Sequence, residues 1–187
     1  MSEFSVHEQN ILLEVARKAI ESKLLGTVQF RKPDKISEKL KQKCGCFVTL
    51  HKQGELRGCI GIIEPVNALI DGIEENARHA AFDDPRFVPL SAEEIDKIKI
   101  EISVLTPPQS LEYSDPEDLK HKLEPGIHGV ILSKGFRKAT FLPQVWDQLP
   151  DAEAFLNHLC LKAGLSGKCW KETGLNVKVY TATYFSE

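Results

Sequence analysis

The chain has 187 residues, of which 42% are hydrophobic and 27% are charged, an ordinary globular composition that leaves ample material for a core. The formal net charge of −3 gives no global field that would attract nucleic acid or an anionic membrane. The N-terminal residues do not resemble a signal peptide, and the apolar runs are too short to span a bilayer. We therefore expect a cytoplasmic protein with no membrane association.

The first helix is predicted from its two ends. Ser5 and Glu8 form a capping-box pattern, apolar residues then recur at helical spacing, and Gly26 is placed to end the helix. Residues 27–43 are basic and polar, and we expect them to run extended before a short helical turn. An excess of lysine and arginine between Arg31 and Lys43 is interpreted as a solvated face, with a partner-binding arm as the alternative.

A β-hairpin follows over residues 46–51 and 56–62, each with alternating apolar side chains. The apolar sets share one face only if the loop has an odd length, and Lys52-Gln53-Gly54 is the simplest choice because Gly54 accepts a left-handed conformation. This register predicts Leu56 on the core face. Arg57 and Cys59 then lie on the more polar face, about 7 Å apart.

The rest of the chain alternates irregularly between helices and strands. The predicted elements are a helix from Pro65, a turn at residues 83–87, a short helix capped by Ser91, a strand at 98–104, an acidic loop at 109–127 with a short helix, a hairpin at 128–133 and 137–142, a helix after Asp151 that ends at Gly164, and a last strand at 177–184. Hairpins outnumber crossovers, which favours an α+β fold with mainly antiparallel sheets and flanking helices.

The five cysteines follow no disulfide-scaffold spacing, so we interpret all of them as reduced thiols. Cys44-Gly45-Cys46 has no second cysteine pair that would complete a zinc site, and we expect no metal. We also expect no cofactor, because the dinucleotide-binding, phosphate-loop, zinc-protease and serine-hydrolase motifs are absent.

The segment Leu56-Arg57-Gly58-Cys59-Ile60-Gly61 is unusual for a strand. Glycines within a strand often mark a bulge or the close approach of a backbone or ligand. A guanidinium near a cysteine favours the thiolate. The alternative is that the cysteine simply packs in the core, as free cysteines commonly do.

With further blocks in the same order, this hexapeptide, LRGCIG, carries a family resemblance. Asp84-Pro85-Arg86-Phe87 and the segments 100–105, 129–132, 139–146 and 159–165 resemble the remaining blocks. The sequence is thus similar to the AMME-syndrome critical-region protein family, the AMMECR-type domain. Its bacterial and archaeal members are called protein A of the AmmeMemoRadiSam system.

The resemblance implies that residues 1–187 form a single AMMECR-type domain with a two-lobed α+β fold. A larger lobe would hold both termini, a smaller one would come from the interior, and the cleft between them would be the suspected site. No activity is established for the family. The system name implies a pathway shared with Memo-like and radical-SAM-like proteins.

Three functional hypotheses stay open. In the first, an enzyme uses Cys59 as the catalytic nucleophile or acid/base on a small anionic ligand. Its ligand-binding residues would be Arg57, Gly58, Gly61, Asp84, Arg86 and Gln144. In the second, the chain is a non-catalytic protein–protein adapter; Asp84 and Arg86 then form a local turn lock, and Gln144 bonds a nearby loop. A nucleic-acid role, the third, is disfavoured by the net charge.

Overall fold

The computed structural model describes residues 4–26 and 36–187; Arg31, Lys32 and Lys35 of the basic segment lie outside this range. The described elements, in chain order, are α1 (Val6–Leu25), α2 (Glu38–Lys41), β1 (Gly45–Lys52), β2 (Glu55–Ile62), α3 (Leu69–Phe82), a 3-10 helix (Ala92–Lys97), β3 (Ile98–Leu105), β4 (Gln109–Ser110), α4 (Pro116–Lys122), β5 (Gly129–Lys134), β6 (Arg137–Phe141), a 3-10 helix (Pro143–Asp147), α5 (Ala152–Lys162), a 3-10 helix (Cys169–Lys171), β7 (Asn176–Tyr180) and β8 (Ala182–Ser186).

These elements form two compact units, one of Met1–Pro107 with Thr183–Glu187 and one of Pro108–Ala182. Each unit has its own four-stranded sheet, in the order β2-β1-β3-β8 in the first unit and β4-β7-β5-β6 in the second. The predicted α+β class with antiparallel sheets is therefore confirmed. The single domain with a cleft between two lobes stays a prediction.

The first unit is built on α1 and α3, whose apolar faces contribute with one face of the sheet to a single core. The predicted start and end of α1 are confirmed: Ser5 and Glu8 form the capping box, and Gly26 ends the helix with φ of +62°. The predicted start of the next helix at Pro65 is wrong. Ala68 instead pairs with Lys43, and the Leu69 N–H bonds the Gln42 carbonyl, so regular helix begins only at Leu69.

The predicted three-residue hairpin loop is also wrong. Lys52 pairs with Glu55 around a two-residue turn, and Gln53 and Gly54 both have positive φ. A β-bulge then shifts the register, so that Leu50 pairs with Gly58. The bulge adds one unpaired residue to β2, and this changes the register after it in the way that a three-residue loop would have done. Leu56 lies on the loop side of the bulge and is 41% exposed, so it does not belong to the core face.

The second unit packs its own apolar cluster beneath β5, β6 and β7, around an aromatic pair in which Trp146 stacks on Phe155 at 3.8 Å between ring centroids. The interpretation of all cysteines as reduced thiols is wrong here. Cys160 of α5 is bonded to Cys169 as a disulfide, with both residues buried. Cys44, Cys46 and Cys59 are free.

The predicted last strand at 177–184 is two strands. β7 belongs to the second sheet, and β8 joins the first sheet beside β3. No helix within residues 4–26 and 36–187 is both long enough and apolar enough to cross a membrane.

Candidate functional site

The candidate site lies on β2, which is an edge strand of the first sheet. After the bulge, Cys59 pairs with Thr49, and the Thr49 hydroxyl donates to the Cys59 sulfur at 3.3 Å. Cys59 is half-buried, whereas Thr49 is buried. Cys59 is therefore a half-buried residue at the margin of a sheet.

The turn after α3 covers the open edge of β2 at Cys59. The buried Asp84 carboxylate accepts the Cys59 backbone N–H at 2.9 Å, and Arg86 Nη2 donates to the Cys59 carbonyl at 3.3 Å. These two side chains form the hydrogen bonds that a neighbouring strand would otherwise form with the outer backbone groups of Cys59. We call Asp84 and Arg86, together with the Cys59 backbone groups that they hold, the edge clamp.

The edge clamp is itself held together by an ion pair. Arg86 donates to Asp84 through Nε at 2.9 Å and Nη2 at 2.7 Å, and its backbone N–H donates at 3.1 Å. Chiefly because of the Arg86 side chain, the pKa of Asp84 falls to about 2 from its ordinary value of 3.8. The carboxylate in turn raises the pKa of Arg86. Both groups are thus charged across the physiological range.

Arg57 is held by a second ion pair. Its Nε and Nη2 bond the two carboxylate oxygens of Glu94 at 3.0 and 2.9 Å, and Nη2 also donates to the Val88 carbonyl at 3.0 Å. Lys52 also bonds Glu94 at 2.7 Å. The hydrogen bonds from Arg57 have the largest effect on the pKa of Glu94 and lower it. Burial raises this pKa, and Lys52 lowers it. The net effect holds the pKa of the carboxyl far below its usual range. Glu94 also completes the capping box of the 3-10 helix that begins after Ser91.

One donor of Arg57 is left over. The side chain is only 9% exposed, and its buried Nη1 has no hydrogen-bond partner among the residues that the structure describes. A buried donor without a partner is unusual, because leaving one unsatisfied costs about 1–3 kcal/mol. Arg57 therefore retains one site at which it can receive an acceptor atom.

The two glycines of the hexapeptide have steric roles. A Cβ on Gly58 would lie 2.1 Å from the Ala80 carbonyl oxygen of α3, and one on Gly61 would lie 2.3 Å from the Phe47 ring. Any side chain at either position would displace a neighbour. The described contacts of Gly58 and Gly61 thus explain both glycines by packing, while their predicted ligand-binding roles stay untested.

The remaining candidates lie elsewhere. Gln144 belongs to the second unit, in the 3-10 helix Pro143–Asp147, so it shares no element with the edge clamp. Cys44 and Cys46 are buried, and burial raises the pKa of both thiols, that of Cys46 to about 12. Within residues 4–26 and 36–187, no His, Cys, Asp and Glu side chains are grouped so as to hold a metal ion.

These observations define an α+β protein in which an ion pair between the buried Asp84 and Arg86 holds a half-buried cysteine at a sheet edge. The sequence model of the AMMECR1 family matches residues 13–185. The chain therefore belongs to the AMMECR1 family.

Archaeal relatives match this chain over nearly their full length, which supports this assignment. A protein of Methanothermobacter thermautotrophicus is 44% identical over 181 residues, covering 96% of this chain and 94% of that one. Protein NEQ441 of Nanoarchaeum equitans is 41% identical, covering 94% and 98% respectively. The crystal structure of the uncharacterized protein PH0010 from Pyrococcus horikoshii superposes with a TM-score of 0.92 at 37% identity, covering 98% of this chain and 93% of that one.

Proposed function

We propose that the protein is an enzyme that binds a small anionic molecule beside Cys59 and acts on it through the thiol. The observation that carries this proposal is the edge clamp, which fixes both outer backbone groups of a half-buried cysteine. Reactive side chains work best when surrounding residues hold them rigidly. A buried carboxylate is a costly way to protect a strand edge, because charges lose solvation on burial.

Arg57 supplies the anion-binding part of the proposal. It lies two residues before Cys59 on the same strand, and its unpaired Nη1 donor would bond a carboxylate or phosphate oxygen once this buried atom is uncovered. Glu94 neutralises most of the guanidinium charge, so this contact would orient the ligand more than attract it. The ligand-binding role of Gln144 stays a prediction.

The alternative is the non-catalytic adapter. Its specific support is apolar exposure on either side of Arg57: Leu56 is 41% exposed, and Val88, whose carbonyl Arg57 binds, is 76% exposed. On this alternative, the ion pairs of Arg57 and Asp84 shape a surface that another protein recognises, and Cys59 has no chemical role.

Alkylation of the native protein distinguishes the thiol enzyme from the non-catalytic adapter. Iodoacetamide labelling is followed by mass spectrometry between pH 6 and 9, roughly spanning the usual thiol pKa. Cys44 and Cys46 are internal controls, because they are buried and burial raises the pKa of each thiol. We expect Cys59 to react first, and Asp84→Asn to change its rate where the matched variant Asp83→Asn does not. If Cys59 stays unlabelled until the protein unfolds, the thiol chemistry is refuted and the adapter takes its place.

We also infer a cytoplasmic location and a pathway shared with Memo-like and radical-SAM-like proteins. The three free cysteines support a reducing compartment, although the disulfide between Cys160 and Cys169 is more typical of an oxidising one. The pathway is supported only by the family resemblance. Co-elution of the purified proteins from one organism in size-exclusion chromatography tests a physical association, and separate elution in both binary mixtures would contradict it.

A further inference from the structure

A cavity of about 540 Å³ lies in the first unit where the β1–β2 turn meets the start of β3. Its described lining includes Gln53 in the turn, Lys97 at the end of the 3-10 helix, and Lys99 and Glu101 on β3, while Cys59 is not part of it. The volume is within the range of small-molecule sites, roughly 300–1,000 Å³. This hairpin-end cavity is thus separate in its lining from the edge clamp.

The sheet register brings the cationic side chains of the cavity together. His51 pairs directly with Lys99 across β1 and β3, so their side chains lie on the same face. Lys97 is two residues before Lys99 and completes the group. Three basic side chains from β1, the 3-10 helix and β3 therefore line one opening.

These basic side chains form few contacts: Lys97 interacts electrostatically with Glu93 of the same 3-10 helix. Among the residues that the structure describes, neither Lys97 nor Lys99 forms an ion pair, and His51 forms no side-chain hydrogen bond. Lys52, the next lysine along the hairpin, is by contrast bound to Glu94. Glu101, the carboxylate among the described lining residues, already has an interaction partner. The described lining of the hairpin-end cavity thus contains two lysines that form no ion pair and one carboxylate.

The backbone of Gln53 follows from the two-residue hairpin turn, in which both residues have positive φ. Its φ of +55° is a left-handed conformation, which costs a residue other than glycine about 1 kcal/mol. Glycine would suit this turn better, as it does at the neighbouring Gly54. Glutamine at this position places an amide that can donate and accept hydrogen bonds at the rim of the cavity.

We propose that the hairpin-end cavity binds a small phosphate monoester, with Lys97, Lys99 and His51 around the phosphate and Gln53 contacting the organic part. A phosphate dianion matches two unpaired lysines, which bind phosphate as point charges. The site does not depend on the thiol chemistry proposed above.

The test uses amide chemical-shift titrations of ¹⁵N-labelled protein with glycerol phosphate, inorganic phosphate and succinate at constant ionic strength. We expect saturable shifts at Gln53, Gly54 and Lys99 with both phosphates, tighter for glycerol phosphate. Lys97→Gln and Lys99→Gln should each raise the Kd by about tenfold. Lys168→Gln, at an exposed lysine of the second unit, is the matched control and should leave the Kd unchanged.

Further outcomes of these titrations would overturn the proposal or support it. Shifts that do not saturate, or that persist unchanged in the Lys97→Gln and Lys99→Gln double variant, overturn the site. Saturable binding of succinate but not of phosphate overturns the ligand class. Gln53→Gly should weaken glycerol phosphate binding while raising thermal stability, and equal binding by this variant overturns the role of Gln53. Cys59→Ser should bind normally, so the site can fail or succeed apart from the thiol.

Discussion

Replacing Asp84 with asparagine removes the charge that holds the edge clamp while keeping the shape of the side chain. The pKa of Asp84 is lowered from 3.8 to about 2, and each unit is equivalent to 1.36 kcal/mol of preference for the folded state. Asp84 is 4% exposed, so solvent screens this preference little. We therefore expect Asp84→Asn to lower the free energy of unfolding by about 2 kcal/mol at neutral pH.

The dependence on pH tests the cause. Because folding depresses the pKa of Asp84, its contribution is fully present above the unfolded value of 3.8 and is lost as the pH falls through about 2. In urea denaturation, the difference between wild type and Asp84→Asn should therefore shrink across this window. A difference that stays constant down to the lowest pH would refute the electrostatic explanation.

Asp83 provides the matched control. It is the adjacent residue, its side chain is 53% exposed, and its ion pair with Lys23 is long at 3.5 Å. Surface pairs of this kind contribute about 0–1 kcal/mol, so Asp83→Asn should be close to wild type. If the two variants unfold at the same urea concentration, the edge clamp has no special role in stability.

Three further variants test other contacts by urea denaturation. Gly58→Ala should cost about 1–3 kcal/mol, because its Cβ would lie 2.1 Å from a carbonyl oxygen of α3, while Gly167→Ala, with nothing nearer than 3.6 Å, should cost less; equal costs would contradict this explanation. Glu94→Gln should cost about 3 kcal/mol, because it leaves the buried Arg57 charge unpaired, and a neutral effect would show the pair to be dispensable. Cys160→Ser should lower the free energy of unfolding by about 3 kcal/mol relative to the wild type with its disulfide intact, and by nothing relative to the reduced wild type. A loss of stability relative to both forms would show that packing at Cys160, and not the disulfide, is the cause.

Local signals in the sequence predicted the helices well. The capping box at Ser5 and Glu8, the glycine at position 26 and the Asp151 cap all act within a few residues, and the structure contains each of them. The start of α3 was mistaken because the residues after Pro65 bond to the segment around Gln42, which is distant in sequence. Local propensity yields to such tertiary contacts.

The candidate site was only half predictable for the same reason. Strand periodicity predicts a shared face for Arg57 and Cys59, but the bulge leaves Arg57 as the unpaired residue. The sequence also suggested a turn around Asp84. The contacts that define the site join residues 25 to 37 positions apart, such as Cys59 with Asp84 and Arg57 with Glu94. The bulge that sets the register of β2 has no clear sequence signal beyond the strand glycines.

The position of β8 has a consequence for the order of events during synthesis. β8 lies beside β3 in the first sheet, yet residues 108–182 of the second unit are made between these two strands. On the ribosome, the ordered set of β2, β1 and β3 must therefore wait with one β3 edge open until β8 emerges. Phe185 then packs against Phe4, and Arg17 pairs with Glu187, so α1 is held in part by residues made after the second unit. Nascent chains stalled before residue 182 should therefore be the species most in need of a chaperone.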